Sequence, residues 1–326
     1  MPSPPPEPAT AVPAPGLAQV AAGITLFHPT AEQIAALPGR LPQGLCARLA
    51  FANSVLGPDA WDALAEAGFT LLGDGTNLGI AEALNRLAEA AGTAGAQCLY
   101  LLDQDAAADP ALPASLLAGR EALRALGLTP AVVGPAPAAA AGHKAPSYPA
   151  RSGAAPVAGL RPVQFLATSG SLVDLAAFAR TGPFRTDFFI DGVELEWCFR
   201  AWSLGCGTYL DPASSLPHRV GGGTIRAFGI AMPRQPLFRM ATYLRNSVYA
   251  WRLPHLPLSW KLAQGLYLPA QAALYWADSG CRPAVLARLA GAARDGLLGR
   301  LGPRGTSDDD RARRGHRQLE RRLSPA

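Results

Sequence analysis

The sequence predicts an α/β fold, a mostly parallel sheet flanked by helices and followed by a C-terminal helical region. Three observations lead there. Between Gly23 and Leu102 short apolar runs alternate with stretches of helical periodicity, the signature of strand–helix–strand units with right-handed crossovers. The 326 residues are 49% hydrophobic and 16% charged, which supports a core and excludes low-hydrophobicity disorder for most of the length. After Gly223 the pattern turns helical, with nine aromatic side chains between Phe228 and Trp276.

The elements follow in order. Residues 1–20 are rich in Pro and Ala and read as a disordered tail. The start lacks the basic and apolar regions of a secretory signal, so a cytoplasmic protein is expected. Ile24–Phe27 reads as a buried strand ending at His28-Pro29-Thr30, and Ala31–Leu37 as a helix capped by Thr30. Leu45–Ala52 is a second apolar run and Asp59–Ala67 a helix. Phe69–Leu72 is strand-like, Gly73–Gly79 a loop, and Ile80–Ala91 a helix with Ile80, Ala83, Leu84 and Leu87 on one face. Cys98–Leu102 is another buried strand, ending in Asp103-Gln104-Asp105. Gly134–Pro162 reads as a loop, Val163–Ala167 as a strand, Thr168–Ser171 as a turn, Val173–Arg180 as a helix, and a further helix begins at Val193. Leu262–Ala277, interrupted by Pro269, falls short of the roughly 20 residues needed to cross a bilayer. The expected organisation is a tail (1–20), a catalytic α/β domain (21–225), a helical region (226–302) and a charged, solvated tail (303–326).

Five scattered cysteines without CxxC spacing suggest neither a disulfide framework nor a zinc site. The net charge of +5 rests almost wholly on arginine and suits phosphates, nucleic acid or anionic lipid. The arginines outside the tail are dispersed and no nucleic-acid motif occurs, so nucleic acid ranks last as a partner.

Asp103 and Asp105 follow an apolar strand, and in extended backbone both carboxylates project to one side while Gln104 points away. Such a pair suits Mg²⁺ or Mn²⁺, or else is a polar turn that ends the strand. Gly73–Gly79 sits at a strand-to-helix junction, where backbone N–H groups meet an anion or merely form a tight turn capped by Asn77. It lacks the Gly-Lys-Ser/Thr ending of a Walker A loop. Asp191, Glu194 and Glu196 interrupt an apolar and aromatic run, and partial burial there would raise a carboxylate towards the range of a general base. Glu196 and Arg200 are spaced to pair on a helix. His218 precedes a glycine run and, as a neutral imidazole, would complete an Asp/Asp/His metal site.

These motifs have an order. Asn53-Ser54, Gly73–Asn85, Leu101–Asp105, Thr168–Ser171, Gly182–Asp191, Glu194–Trp197, His218–Gly221 and Tyr243-Leu-Arg-Asn246 together resemble a family 2 glycosyltransferase, more narrowly its bacterial rhamnosyltransferase branch, from about Ile24 to Gly302. The resemblance implies a GT-A fold and inverting transfer from a nucleotide-diphosphate sugar, dTDP-L-rhamnose, to a glycan or lipid-linked saccharide in cell-surface polysaccharide synthesis. Similar proteins handle galactofuranose donors. Carried over by motif, Asn53, Asp74, Asn77 and Gly79 line the nucleotide. Asp103 and Asp105 hold metal and diphosphate, with His218 beside them. Thr168–Ser171 border the acceptor, and Glu194 stands at the catalytic aspartate's position with Asp191 as its substitute. Two residues depart from the family pattern: Ala52 replaces an aspartate before Asn53, and Glu194 is one methylene longer than expected.

Rival readings are a glycoside hydrolase using Glu194 and Glu196, which diverge on a helix, and a non-catalytic sugar-nucleotide or glycan-binding protein. The aromatic and arginine-rich helical region fits peripheral contact with the inner face of the plasma membrane or, equally, packing on the sheet or in a homo-oligomer.

Overall fold

The structure is a computed structural model that describes residues 16–139, 146–218, 223–227 and 230–303. In chain order it contains β1 (Val20–Leu26), α1 (Ala31–Ala36), β2 (Ala47–Ala52), α2 (Pro58–Glu66), β3 (Thr70–Leu72), α3 (Gly79–Thr93), β4 (Cys98–Asp103), α4 (Leu112–Ala125) and β5 (Pro130–Ala139). It continues with β6 (Arg161–Pro162), β7 (Ser171–Asp174), α5 (Leu175–Thr181), α6 (Val193–Ser203) and β8 (Gly207–His218). A hairpin of β9 (Thr224–Ala227) and β10 (Ile230–Pro233) precedes α7 (Leu237–Ala250), α8 (Leu258–Asp278) and α9 (Pro283–Leu298).

Among the described residues eight strands form one sheet in the order β3-β2-β1-β4-β7-β5-β8-β6. β1, β2, β3 and β4 run parallel, as do β5 and β8, while β7 and β6 are antiparallel to their neighbours. The chain leaves β1 first towards β2 and β3, then returns to its other side as β4. A crevice opens at the carboxyl ends of strands where the order reverses in this way, here between β1 and β4. β4 is buried on both faces, as covered parallel strands are. Its Leu99 and Leu101 pack with Leu84 and Leu87 of α3 and Trp197 of α6, and its Tyr100 and Leu102 with Ile34, Leu64 and Leu116 on the opposite layer. A third cluster joins Ile225 and Met232 of the hairpin to Met240, Leu268 and Leu289 of the three C-terminal helices. α7 and α9 cross closely because Gly296 lies against the Arg245 carbonyl, where a Cβ would collide.

The periodic segments form as expected, including the Thr30 capping box, in which Thr30 Oγ1 accepts from the Gln33 N–H and the Gln33 side chain accepts from the Thr30 N–H. Five expectations are corrected. Residues 17–19 make a 3-10 turn that leads into β1 at Val20, so the expected 1–20 tail gives way to ordered backbone from Gly16. The segment 134–139, at the start of the expected Gly134–Pro162 loop, is strand: β5 carries Pro135 and Pro137, tolerated because beyond Val133 it pairs with β8 alone and its ladder shifts register at Pro135. Val163–Ala167 is not a strand; the paired segments are β6 before it and β7 after it. The helix expected from Val173 starts at Leu175, because Val173 and Asp174 complete β7 and the Asp174 carboxylate caps the helix through the Ala177 N–H at 2.7 Å. The stretch after Gly223 opens with a hairpin, and β9 spans the expected 225/226 boundary.

Among the described residues no helix is long and apolar enough to cross a membrane.

Asp174 also receives a charge-assisted bond from the buried Arg120, whose Nε lies 2.7 Å from Oδ2. Asp174→Ala removes the cap and strands a buried guanidinium, so it should cost about 3–5 kcal/mol in urea unfolding.

Candidate active site

Three segments converge on the carboxyl ends of β1, β2 and β4. At the first, Gln104 turns its amide towards the end of β1, accepting from the Phe27 N–H at 2.7 Å and donating to the Phe27 carbonyl and to Gln33 at 3.2 Å each. The turn is fixed further by the Asp103 N–H on Ser169 Oγ (3.1 Å) and by Arg40 on the Gln104 carbonyl (2.8 Å). With Gln104 committed to β1, Asp103 is half-buried and Asp105 open to solvent. Phe27 leaves 45% of its surface exposed beside them.

The second segment is the Gly73–Gly79 loop. Asn53 is buried, and its side-chain carbonyl accepts from the Leu78 N–H at 2.8 Å, tying β2 to the loop. Asp74 accepts from the Thr76 N–H at 2.9 Å, a bond that holds its exposed carboxyl below the usual range. Asn77 accepts from the Gly79 N–H at 3.0 Å, and the His28 N–H donates to Ser54 Oγ at 2.7 Å. Gly79 has φ +80° and lies against Phe189, where a Cβ would stand 2.6 Å from the Phe189 carbonyl oxygen. That same carbonyl accepts from the Ile80 N–H at 2.8 Å. The loop and the third segment therefore share a surface.

The third segment, Phe188–Glu194, carries the acids. Phe189, Asp191 and Gly192 all have positive φ, of 64°, 64° and 83°. Asn246, buried on α7, holds this backbone: its Nδ2 lies 2.9 Å from the carbonyls of Phe188, Ile190 and Asp191. Arg239, two turns earlier on α7, donates to both carboxylate oxygens of Asp191. Glu194, in the first turn of α6, has no salt bridge among the described residues. Burial raises its pKa, with the Asp191 and Asp103 charges acting the same way and Arg239 opposing them. Tyr148 is pushed up to about 12, mainly by burial, and it too feels Glu194 and Asp103. Asp103, Asp191, Glu194, Arg239 and Tyr148 thus act on one another across a single site although they come from four parts of the chain.

The remaining candidates lie elsewhere. Glu196 is buried and consumed by Arg200, at 3.1 Å from both Nε and Nη2, which removes it as an acid partner of Glu194. His218 is the last residue of β8, and its side chain lies outside the described residues. Among the described residues no group of three His, Cys, Asp or Glu could hold a metal. Asp103 and Asp105 place two carboxylates at the end of β4, one half-buried and one exposed, the donor type that hard divalent ions take together with water and phosphate oxygens.

Arg239 and Tyr148 were not legible as site residues. Arg239 stands seven residues before Asn246, on the same face of α7, a spacing that points both at the acid loop. Tyr148 sits in a Pro/Ala/Gly-rich stretch with no periodic signal.

No protein-family profile matches the chain. A segment of 91 residues, 28% of the chain, is 30% identical to the dTDP-rhamnosyl transferase RfbF of Shigella flexneri, and covers 31% of that protein's length. Among solved structures the chain is similar to TarS 1-349 of S. aureus in complex with UDP-GlcNAc, with a TM-score of 0.53 over 86% of this chain and 80% of that one, at 8% identity. It is similar as well to GalNAc-T7 with UDP, GalNAc and Mn²⁺, with a TM-score of 0.52 over 77% of this chain and 54% of that one, at 14% identity. The fold is GT-A. Its sheet, with helices on both faces and the acids beyond the strand ends, is the architecture expected from the motifs.

Two outcomes follow from this geometry. Gly79→Ala forces a left-handed alanine into Phe189 and should lower stability by about 2–4 kcal/mol in denaturant unfolding. Glu194→Gln should raise the melting temperature at neutral pH. Glu194 is easier to protonate when folded, so the wild-type protein is relieved of its penalty below the ordinary value of 4.5 and bears it fully once pH exceeds the raised folded value. The gain from Gln should therefore disappear on acidification, which thermal melts across that range will read.

Proposed function

We propose that the protein is an inverting glycosyltransferase that moves a sugar from a nucleotide diphosphate, first among them dTDP-L-rhamnose, to a saccharide or lipid-linked acceptor. The observation that carries this reading is Glu194: a half-buried acid with no salt bridge among the described residues, three residues from Asp191 and close enough to Asp103, at the end of β4, to feel its charge. The GT-A fold supports a sugar-nucleotide donor, since the similar structures are of TarS in complex with UDP-GlcNAc and of GalNAc-T7 with UDP. The RfbF segment supports rhamnose over galactofuranose, the second donor class to be tested.

Each residue then has a task. Phe27 offers an exposed ring face for a nucleobase, and Asn53, Asp74, Asn77 and Gly79 shape the loop that receives the nucleotide. Asp103 and Asp105 would hold a divalent ion, Mg²⁺ or Mn²⁺, that neutralises the departing diphosphate as a Lewis acid. On the other side of the sugar Glu194 takes the proton of the acceptor hydroxyl as its oxygen attacks the anomeric carbon and the bond to the diphosphate breaks. One displacement inverts the anomeric centre. Glu194's raised pKa suits the task, because a base poised nearer neutral pH has more driving force to take a proton. Arg239 holds Asp191 in an ion pair, and this separates the roles of the two acids: Asp191 shapes the loop and Glu194 remains available. Ser169 and Ser171 lie towards the acceptor side beside Tyr148.

A screen of dTDP-, UDP- and GDP-sugars with acceptor saccharides identifies the donor. With it, Glu194→Gln should lower kcat by about 10²–10⁴-fold while donor binding is retained, and the acidic limb of the wild-type rate profile should lie above the usual carboxylate range. Asp105→Ala should abolish the dependence of rate on added Mg²⁺ or Mn²⁺. Unchanged turnover in Glu194→Gln would transfer the base to Asp191. Donor binding with no transfer to any acceptor would favour a sugar-nucleotide-binding protein, the reading that Ala52 in place of an acid keeps open.

A further inference from the structure

α8 packs Leu268, Ala272, Leu274, Tyr275 and Trp276 on the protein and leaves a second set of apolar side chains facing outward. Of its 21 residues only Leu268 and Tyr275 are buried, and the side that packs on the protein includes Gln264 and Gln271. Tyr243 donates to Gln271 Oε1 at 3.2 Å, while the buried Gln264 Oε1 has no hydrogen-bond partner among the described residues. The outward side carries Leu258, Leu262 and Leu266, one turn apart and 70%, 65% and 80% exposed, with Ala273 continuing the line. A surface helix in water ordinarily carries polar or charged residues along its outer face. No charged side chain interrupts the leucine line, and Tyr267, next to Leu266, is 54% exposed.

We propose that this face of α8 docks on an anionic lipid surface. The choice of occupant rests on charge. From Trp251 to Pro303 six Arg or Lys residues stand against two Asp. Two copies of this region brought together would repel each other, whereas a bilayer with acidic headgroups attracts the basic helices and receives the leucines. α8 is too short of apolar residues to cross the bilayer, so it lies along the interface, with the Tyr267 ring at headgroup level. This proposal goes beyond the transferase reading, and its test uses no sugar donor.

The test is sedimentation of the full chain with vesicles of phosphatidylcholine containing about one-third phosphatidylglycerol, at low and high salt, beside vesicles of phosphatidylcholine alone. Wild-type protein should bind the acidic vesicles and be released by salt. The double variant Leu262→Gln/Leu266→Gln should bind at least about tenfold more weakly with an unchanged melting temperature, since both side chains are already exposed. Leu126→Gln, an exposed leucine after α4, should bind as wild type does. Three outcomes overturn the proposal: no binding at low salt, equal binding to neutral vesicles, or binding that the double variant leaves intact. A concentration-dependent dimer that the double variant dissolves, with no vesicle binding, would assign the face to a second copy.

Discussion

One buried amide holds the acid-bearing loop in a shape that it would not adopt alone. Phe189 and Asp191 occupy left-handed backbone, each at a cost of order 1–3 kcal/mol, and Asn246 offsets this by meeting three carbonyls of that loop. Arg245 beside it is equally buried and reaches the Gly302 carbonyl at 2.6 Å. The α7 helix is thus part of the site although it follows the sheet in sequence, and the packing of α7 on α9 through Gly296 bears on where Asp191 and Glu194 stand.

The same helix explains why two acids three residues apart differ. Arg239 meets Asp191 with two nitrogens, so one carboxylate is committed to a structural ion pair. Glu194, one step into α6, has partial burial and nearby negative charge but no cation of its own. Environments that drive two neighbouring carboxyl groups apart are how one fold supplies an acid for structure and another for chemistry.

Much of the central sheet was legible because its signals are local. β4 reads as a buried strand from five apolar residues in a row, and α1 from its capping residue and spacing. β5 was hidden by prolines that are harmful in a strand paired on both sides and harmless where one side is free. The start of α5 was misplaced because Val173 suits either state, and pairing with β4 and β5 decided it. In the site, acids stood out against the apolar run from Phe188 to Arg200, whereas Arg239 was one arginine among many. What distinguishes it is a partner 48 residues away, which no window of sequence displays.

The contact between Gly79 and Phe189 has a consequence for any attempt to rebuild this protein from parts. Because the residue that opens α3 and the carbonyl next to the acids touch without room for a methyl group, neither half can be exchanged alone. A chimera that imports this loop from another protein of the same fold would have to transplant the segment from Gly73 to Ile80 together with that from Phe184 to Glu194, and keep the α7 side chains that brace the second.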